Sequence, residues 1–434
     1  MAQRTAYYLG ERIYLSYLLS TSTPDRVWLE LNATYAYAKK LKLNTIYIKD
    51  DFAYFGSKKG SIDCVYKRIL LLSLVSPYSL RSAELEQIYY GLLPWLNCIN
   101  LVHVAEPVTN AYVLDFKQDS GPVHQEAILD GDCRIDCTKL VNKLNTWLDD
   151  GDIPESISHK GMSKKLLMEI VTQLGDIKNR GDERLYNLSG QVEVVVGLQD
   201  IDVFLGHIKS LISIDEDNDS PIYNDDKDES VWLGQDEFSH NGTDFNSSSA
   251  QTTLEEKQED AQEGKGSHHE IRQHVFDIEN ESERGVCLSC NYIHGTGLYL
   301  GELMFMRGFD PEVWTLGIIR WMLVQNKELK IGLYLFSAQV EQVVISDTGS
   351  AVDVNALLLG GCEHGDTVLL PSAEFKVGDE LQLNYKGDET DITLGDVVWK
   401  SEGFSQFGLI IQEAKLEETT SGEENDFLIP AWAK

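Results

Sequence analysis

The sequence predicts an α+β chain: a mainly helical N-terminal module, then a region of short antiparallel strands built into small barrels or sandwiches. Three observations carry that prediction. Apolar residues recur at helical spacing through about the first 175 positions. Beyond them, β-branched runs alternate and are cut by polar turns. Between Asp215 and Glu270, 17 acidic residues stand against only Lys227, Lys257 and Lys265, in a stretch poor in apolar side chains. Such a composition buries too little surface to offset chain entropy, so the segment is expected to be disordered and to interrupt the β-rich part.

The elements follow in order. "MAQRTAYYLGERIYLSYLL" is interrupted by Glu11 and Arg12 and is followed by no small-residue cleavage site, so no signal peptide is expected. "DRVWLELNATYAYAKKL" (25–41) carries Val27, Leu29, Leu31, Tyr35 and Tyr37 on an imperfect helical face. "NTIYIKDDFAYFG" (44–56) reads as a strand, a turn and a second short strand. Residues 64–96 read as helix, Pro-containing turn, helix, with the second helix starting near Ser82 and striped by Leu85, Ile88, Tyr89 and Leu92. A DNA-reading helix-turn-helix is disfavoured there, because that second helix offers Glu84 and Glu86 and no basic residue after Arg81. "NLVHV" and "NAYVLDF" are strand-like; 137–150 and 163–175 are amphipathic helices, the latter capped by Ser163 and ended by Gly175. "QVEVVVGLQDIDVFL" (191–205) is a strand running into a short helix or loop. Four strand-like runs follow the acidic segment, and four more lead to an acidic tail with an apolar tip.

Composition limits the chemistry. A net charge of −33 argues against binding a nucleic-acid polymer, which needs basic surface. The longest apolar run, "ILLLSLV", is far too short to span a bilayer. Seven cysteines, an odd number in a large chain, fit reduced thiols in a cytoplasm. Cys287, Cys290 and His294, with His268, His269 or Cys362 as a fourth ligand, have a spacing that could hold zinc. If Cys287 and Cys290 lie on one strand, however, they point to opposite faces and cannot share an ion. No nucleophile or phosphate-loop motif is present, and no enzyme is expected.

An anion site remains. "RGDER" puts Arg180 and Arg184 four apart, a spacing from which two guanidinium groups can fork onto phosphates. "NYIHGTG" supplies Asn291, His294, Gly295 and Gly297 in a polar turn that permits close backbone approach.

The β-rich region resembles the PilZ family of small six-stranded barrels, many of which bind cyclic di-GMP. "RGDER" matches that family's Arg-x-x-x-Arg and "NYIHGTG" stands where its Asp/Asn-x-Ser-x-x-Gly turn belongs; "GIIRW" (317–321) and "KIGLYLF" (330–336) are similar to its later strands. The turn departs from the pattern at Ile293, in place of Ser, and at Thr296, with Gly297 one residue late. The resemblance implies that Arg180 and Arg184 grip the dinucleotide while Asn291, His294, Gly295 and Gly297 meet a guanine. It also divides the chain: an α+β module over 1–175, a PilZ-like barrel from 176–214 and 284–345, a disordered acidic insertion over 215–283, a smaller β-rich region over 346–415 and an acidic tail over 416–434. The expected function is a bacterial cytoplasmic signalling or adaptor protein, without a cofactor, that binds cyclic di-GMP or descends from a binder and relays this to a protein partner. The other readings are a ligand-independent scaffold or chaperone-like adaptor and a zinc-dependent enzyme.

Overall fold

The computed structural model describes residues 1–49, 59–91, 93–103, 108–128, 133–151, 162–175, 185–186, 190–216, 271–291, 298–307, 314–336, 338–347, 353–362, 365–372 and 375–411. The fold is α+β, with a helical N-terminal region followed by two closed antiparallel barrels.

The N-terminal region packs α1 (Ala2–Leu18), α2 (Val27–Lys40), α3 (Ile62–Leu74) and α4 (Ser82–Gly91) around one apolar core. Ser61 caps α3 by accepting from the Cys64 N–H; of the expected stripe of α4, Leu85, Ile88 and Tyr89 are buried and Leu92 lies outside the described residues. Tyr35 and Tyr66 stack at 4.0 Å across α2 and α3, and the buried Tyr66 hydroxyl donates to Asn32 Oδ1 at 2.7 Å. A two-stranded ribbon joins β1 (Ile48–Lys49) to β2 (Lys59–Gly60). A four-stranded sheet follows, β3 (Asn100–His103), β4 (Val108–Leu114), β5 (Val123–Ile128) and β6 (Cys133–Asp136), in the order β3-β6-β4-β5. The helices α5 (Thr138–Asp150) and α6 (Lys164–Gly175) pack together, and Ser163 Oγ accepts from the Leu166 N–H as the sequence suggests.

After a short strand β7 (Leu185–Tyr186), β8 (Gln191–Val196) leads into α7 (Leu198–Glu216). The first barrel is closed by β8, β9 (Gln273–Ser282), β10 (Gly285–Asn291), β11 (Leu303–Arg307), β12 (Trp314–Gln325) and β13 (Glu328–Leu335), in the order β8-β9-β10-β13-β12-β11 and back to β8. Val192, Val194, Val196, Phe276, Ile278, Leu288 and Ile331 fill its interior, the alternation a half-buried strand requires. The second barrel closes β14 (Gln339–Asp347), β15 (Asp353–Cys362), β16 (Gly365–Pro371), β19 (Phe404–Ile411), β18 (Asp388–Lys400) and β17 (Glu380–Tyr385) in that order. A further apolar cluster joins the two: Val195, Phe305 and Ile318 on the outside of the first barrel meet Phe204 of α7 and Leu357, Leu359 and Phe404 of the second.

Three expectations change. Residues 273–282, placed within the acidic insertion, form a strand of the first barrel, with Phe276 and Ile278 inside it. One of the four strand-like runs after the acidic segment, "LKIGLYLFSAQVEQVVI" (329–345), divides into β13 and β14, and these belong to different barrels. The C-terminal β-rich region is itself a complete six-stranded barrel.

The family-like runs acquire a physical meaning here. Trp321 of "GIIRW" is paired with Gly332 of "KIGLYLF", and its indole lies over that glycine, where a Cβ would overlap it. The register shifts between Ile319 and Trp321, which makes Arg320 a bulge residue and turns it outward, its guanidinium 4.7 Å from the Trp399 ring of the second barrel.

Candidate functional site

Asn291 is exposed and ends β10, paired with Glu328 of β13. Across β9, β10 and β13, Glu279 accepts from Ser289 Oγ at 2.8 Å and ion-pairs with Lys330 at 3.2 Å, and both hold its carboxyl below its usual range. His294, Gly295 and Gly297 lie outside the described residues, as do Arg180 and Arg184. The chain returns at Leu298, and Leu298 and Leu300 pack onto the barrel core.

Strand direction fixes which end of the barrel this is. β9 and β10 are joined by a two-residue turn at 283–284, and Ser289 faces Asp277. The chain leaving β10 after Asn291 therefore emerges at the end where β9 begins, and the residue just ahead of β9 is Arg272. β7, which directly follows Arg184, pairs instead with Asn280 and Glu281, toward the hairpin end.

Arg272 is heavily engaged at that end. Its Nε donates to Asp200 Oδ2 at 2.9 Å, its backbone N–H to the same oxygen at 3.0 Å, and Nη2 to the Val196 carbonyl at 3.1 Å and Glu302 Oε1 at 3.4 Å. The two carboxylates are buried, with Asp200 4% and Glu302 2% exposed, whereas the Arg272 side chain keeps 46% exposure. Burial pushes the Glu302 carboxyl up to about 7, with the nearby Arg272 charge pulling the other way. One Glu302 oxygen, Oε2, is buried without a hydrogen-bond partner.

Asp200 sits in the first turn of α7, and Asp202 beside it reaches the second barrel. Asp202 accepts from Gln342 Nε2 at 2.6 Å and from Asn355 Nδ2 at 2.7 Å. One helix turn thus ties the start of β9 to the second barrel.

The N-terminal region closes over the same end. Ser22 N–H donates to the Val324 carbonyl at 3.0 Å and Val324 N–H to the Ser20 carbonyl at 2.7 Å, which docks the α1–α2 loop on β12. A cleft of about 830 Å³ opens there, walled by Leu298, Tyr299 and Met322 on one side and by Leu19, Arg81 and Gln87 on the other. That volume lies within the usual span for a bound small molecule.

Arg272, Asp200 and Glu302 were not singled out by the sequence. The signal was present: "IRQHVFDI" alternates into the barrel and places an arginine one hairpin ahead of Asn291, but the acidic composition upstream masks it. Of the zinc candidates, His294, His268 and His269 lie outside the described residues. Cys290 packs with Val286 and Leu288 on the inner face of β10 while Cys287 alternates to the other face, and no group of three potential ligands occurs among the described residues.

A family model described as the N-terminal domain of the cyclic-di-GMP receptor FimW matches residues 1–106, and one described as that receptor's middle PilZ domain matches residues 111–341. The cyclic-di-GMP receptor FimW of Pseudomonas aeruginosa is 22% identical over 415 residues, covering 88% of this chain and 67% of that receptor. No solved structure matches. With the middle-domain model spanning more than half of its length, the chain belongs, as a divergent member, to the FimW-like family of PilZ-domain cyclic-di-GMP receptors.

Proposed function

We propose that this chain is a non-enzymatic cytoplasmic receptor that binds cyclic di-GMP at the barrel end carrying Asn291 and Arg272, and relays occupancy to a protein partner. The observation that carries this reading is the placement of Arg272, just ahead of β9, at the barrel end where β10 closes with Asn291; the cleft of about 830 Å³ is walled by other residues, Leu298–Leu300, Met322 and Val324 among them. Asn291 and the Gly295–Gly297 turn, with His294, would meet a guanine edge. Arg272 would supply the guanidinium for a phosphate; by family resemblance Arg180 and Arg184 are the other source. A cytoplasmic setting accords with the six described cysteines, none of which is in a disulfide.

The relay follows from competition. Asp200 already occupies Arg272 as a phosphate oxygen would, through a charge-assisted hydrogen bond. A ligand that takes this guanidinium loosens Asp200, and with it the helix turn whose Asp202 holds Gln342 and Asn355 of the second barrel. Ligand-free and bound states then differ in which anion Arg272 holds, the differential contact that a population shift requires.

Isothermal titration of the intact chain with cyclic di-GMP tests the reading. Heat of binding is expected, with affinity reduced at least about tenfold in Arg272→Gln, the loss expected for a charge-assisted contact. No heat at micromolar concentrations overturns the receptor reading. Loss confined to Arg180→Ala/Arg184→Ala instead moves the site to the hairpin end.

A further inference from the structure

In a chain of net charge −33, residues 31–49 contain no acidic residue and carry Lys39, Lys40, Lys42 and Lys49. The same stretch holds a dense group of exposed apolar side chains: Tyr37 is 65% exposed, Leu41 47%, Leu43 46%, Ile46 47%, Tyr47 59% and Ile48 46%. Large aliphatic residues exposed singly are ordinary, but this many within one turn-and-ribbon segment mark a contact surface.

The backbone presents them in fixed form. α2 ends in a Schellman arrangement, with Leu43 N–H donating to the Ala38 carbonyl at 2.9 Å and Lys42 N–H to the Lys39 carbonyl at 3.0 Å. The residue in the left-handed position, where glycine is usual, is Lys42 at φ 57°. The following loop is pinned to α3, because Asp63 N–H donates to the Asn44 carbonyl at 2.9 Å and Asn44 Nδ2 to Asp63 Oδ1 at 3.4 Å. That left-handed position therefore carries a charged side chain at the tip, at a backbone cost that a glycine would not incur.

We propose that this tip, Lys39–Lys42 with Leu43, Ile46, Tyr47 and Ile48, docks on the surface of an anionic phospholipid bilayer. Charge complementarity selects an acidic occupant, and the residue types select a lipid one. Protein interface cores are depleted in lysine and enriched in arginine, whereas every cation here is lysine, whose stem can lie among acyl chains while its ammonium reaches the headgroups. Aliphatic residues with tyrosine at the level of the headgroups and lysines beside them are the composition of a peripheral membrane contact. No helix among the described residues is long and apolar enough to cross a membrane, so such attachment would be peripheral and reversible. The inference stands apart from the cyclic di-GMP reading, since the tip belongs to α2 and the β1–β2 ribbon and contributes nothing to the cleft wall.

Vesicle flotation of the full chain tests it, with phosphatidylcholine alone and with phosphatidylcholine partly replaced by phosphatidylglycerol. The chain is expected to float with the anionic vesicles only, and less as salt rises. Lys39→Gln/Lys40→Gln/Lys42→Gln should weaken partitioning about 100-fold, roughly fivefold per lysine. Ile46→Ser/Ile48→Ser, at exposed positions, should weaken it while leaving thermal unfolding unchanged. Lys42→Gly separates docking from folding: it should raise the unfolding midpoint by relieving the positive φ and still lower partitioning about fivefold. Equal flotation with neutral vesicles, or wild-type flotation of the lysine variants, overturns the proposal. So does failure to float with either vesicle; binding to polyglutamate in that case would assign the tip to an acidic protein.

Discussion

Glu302 shows how a single buried carboxyl sets conditions for the whole site. Its pKa is raised from 4.5 to about 7 by burial, which the Arg272 guanidinium only partly offsets. The folded chain therefore binds this proton more tightly than the unfolded chain does. Stability from this group is full below about pH 4.5, falls as pH rises toward 7, and is level above it. Over that window the loss should be on the order of 3 kcal/mol. Thermal unfolding followed from pH 5 to 8 should show that decline in the native chain and a flatter profile in Glu302→Gln. An unchanged slope in the variant would assign the decline to other groups. Asn291 was a candidate from sequence because "NYIHGTG" resembles a family turn motif. Glu302 was not, because Asp200, which shares its partner Arg272, is about a hundred residues away in sequence and only barrel closure brings both carboxylates to one arginine.

At the scale of elements, the helices were the most legible part. Ser163 and Gly175 mark α6, and the stripe Leu85, Ile88 and Tyr89 marks α4, because caps and 3.6-residue periodicity are local signals. β5 and β6 went unread, since "VHQEAI" and "CRID" are short and half polar. β9 was hidden for a different reason: composition averaged over a long acidic stretch outweighs a strand whose inward residues are only Phe276 and Ile278 at full burial. The division of 329–345 between two barrels depends on pairing partners, which no local pattern specifies. One cross-strand pair carries much of the first barrel's identity. Gly332→Ala would drive a Cβ into the Trp321 indole and is expected to cost roughly 1–3 kcal/mol, with the loss of near-ultraviolet tryptophan signal before global unfolding. Native-like stability in that variant would show that Trp321 repacks freely.

For the whole molecule, three bodies meet at the barrel end where β9 begins: the α1–α2 loop on Val324, Arg81 at 3.9 Å from Glu402 of the second barrel, and α7 held to both barrels through Asp200 and Asp202. A ligand bound at that end touches elements that the other two bodies share, which is how occupancy at one site could alter a distant surface. The α+β class and the PilZ-like barrel were legible because alternation and short motifs survive in the sequence. The second barrel's closure, and the helix bridging the two barrels, depend on long-range pairing and were not. The most direct test is amide hydrogen exchange of the intact chain with and without cyclic di-GMP. Binding at the proposed end predicts slower exchange at Arg272–Val275 and Leu298–Glu302, with faster exchange in the first turn of α7 as Asp200 is released. Protection confined to Leu185–Tyr186 and the 283–284 hairpin, or no change anywhere, would contradict it.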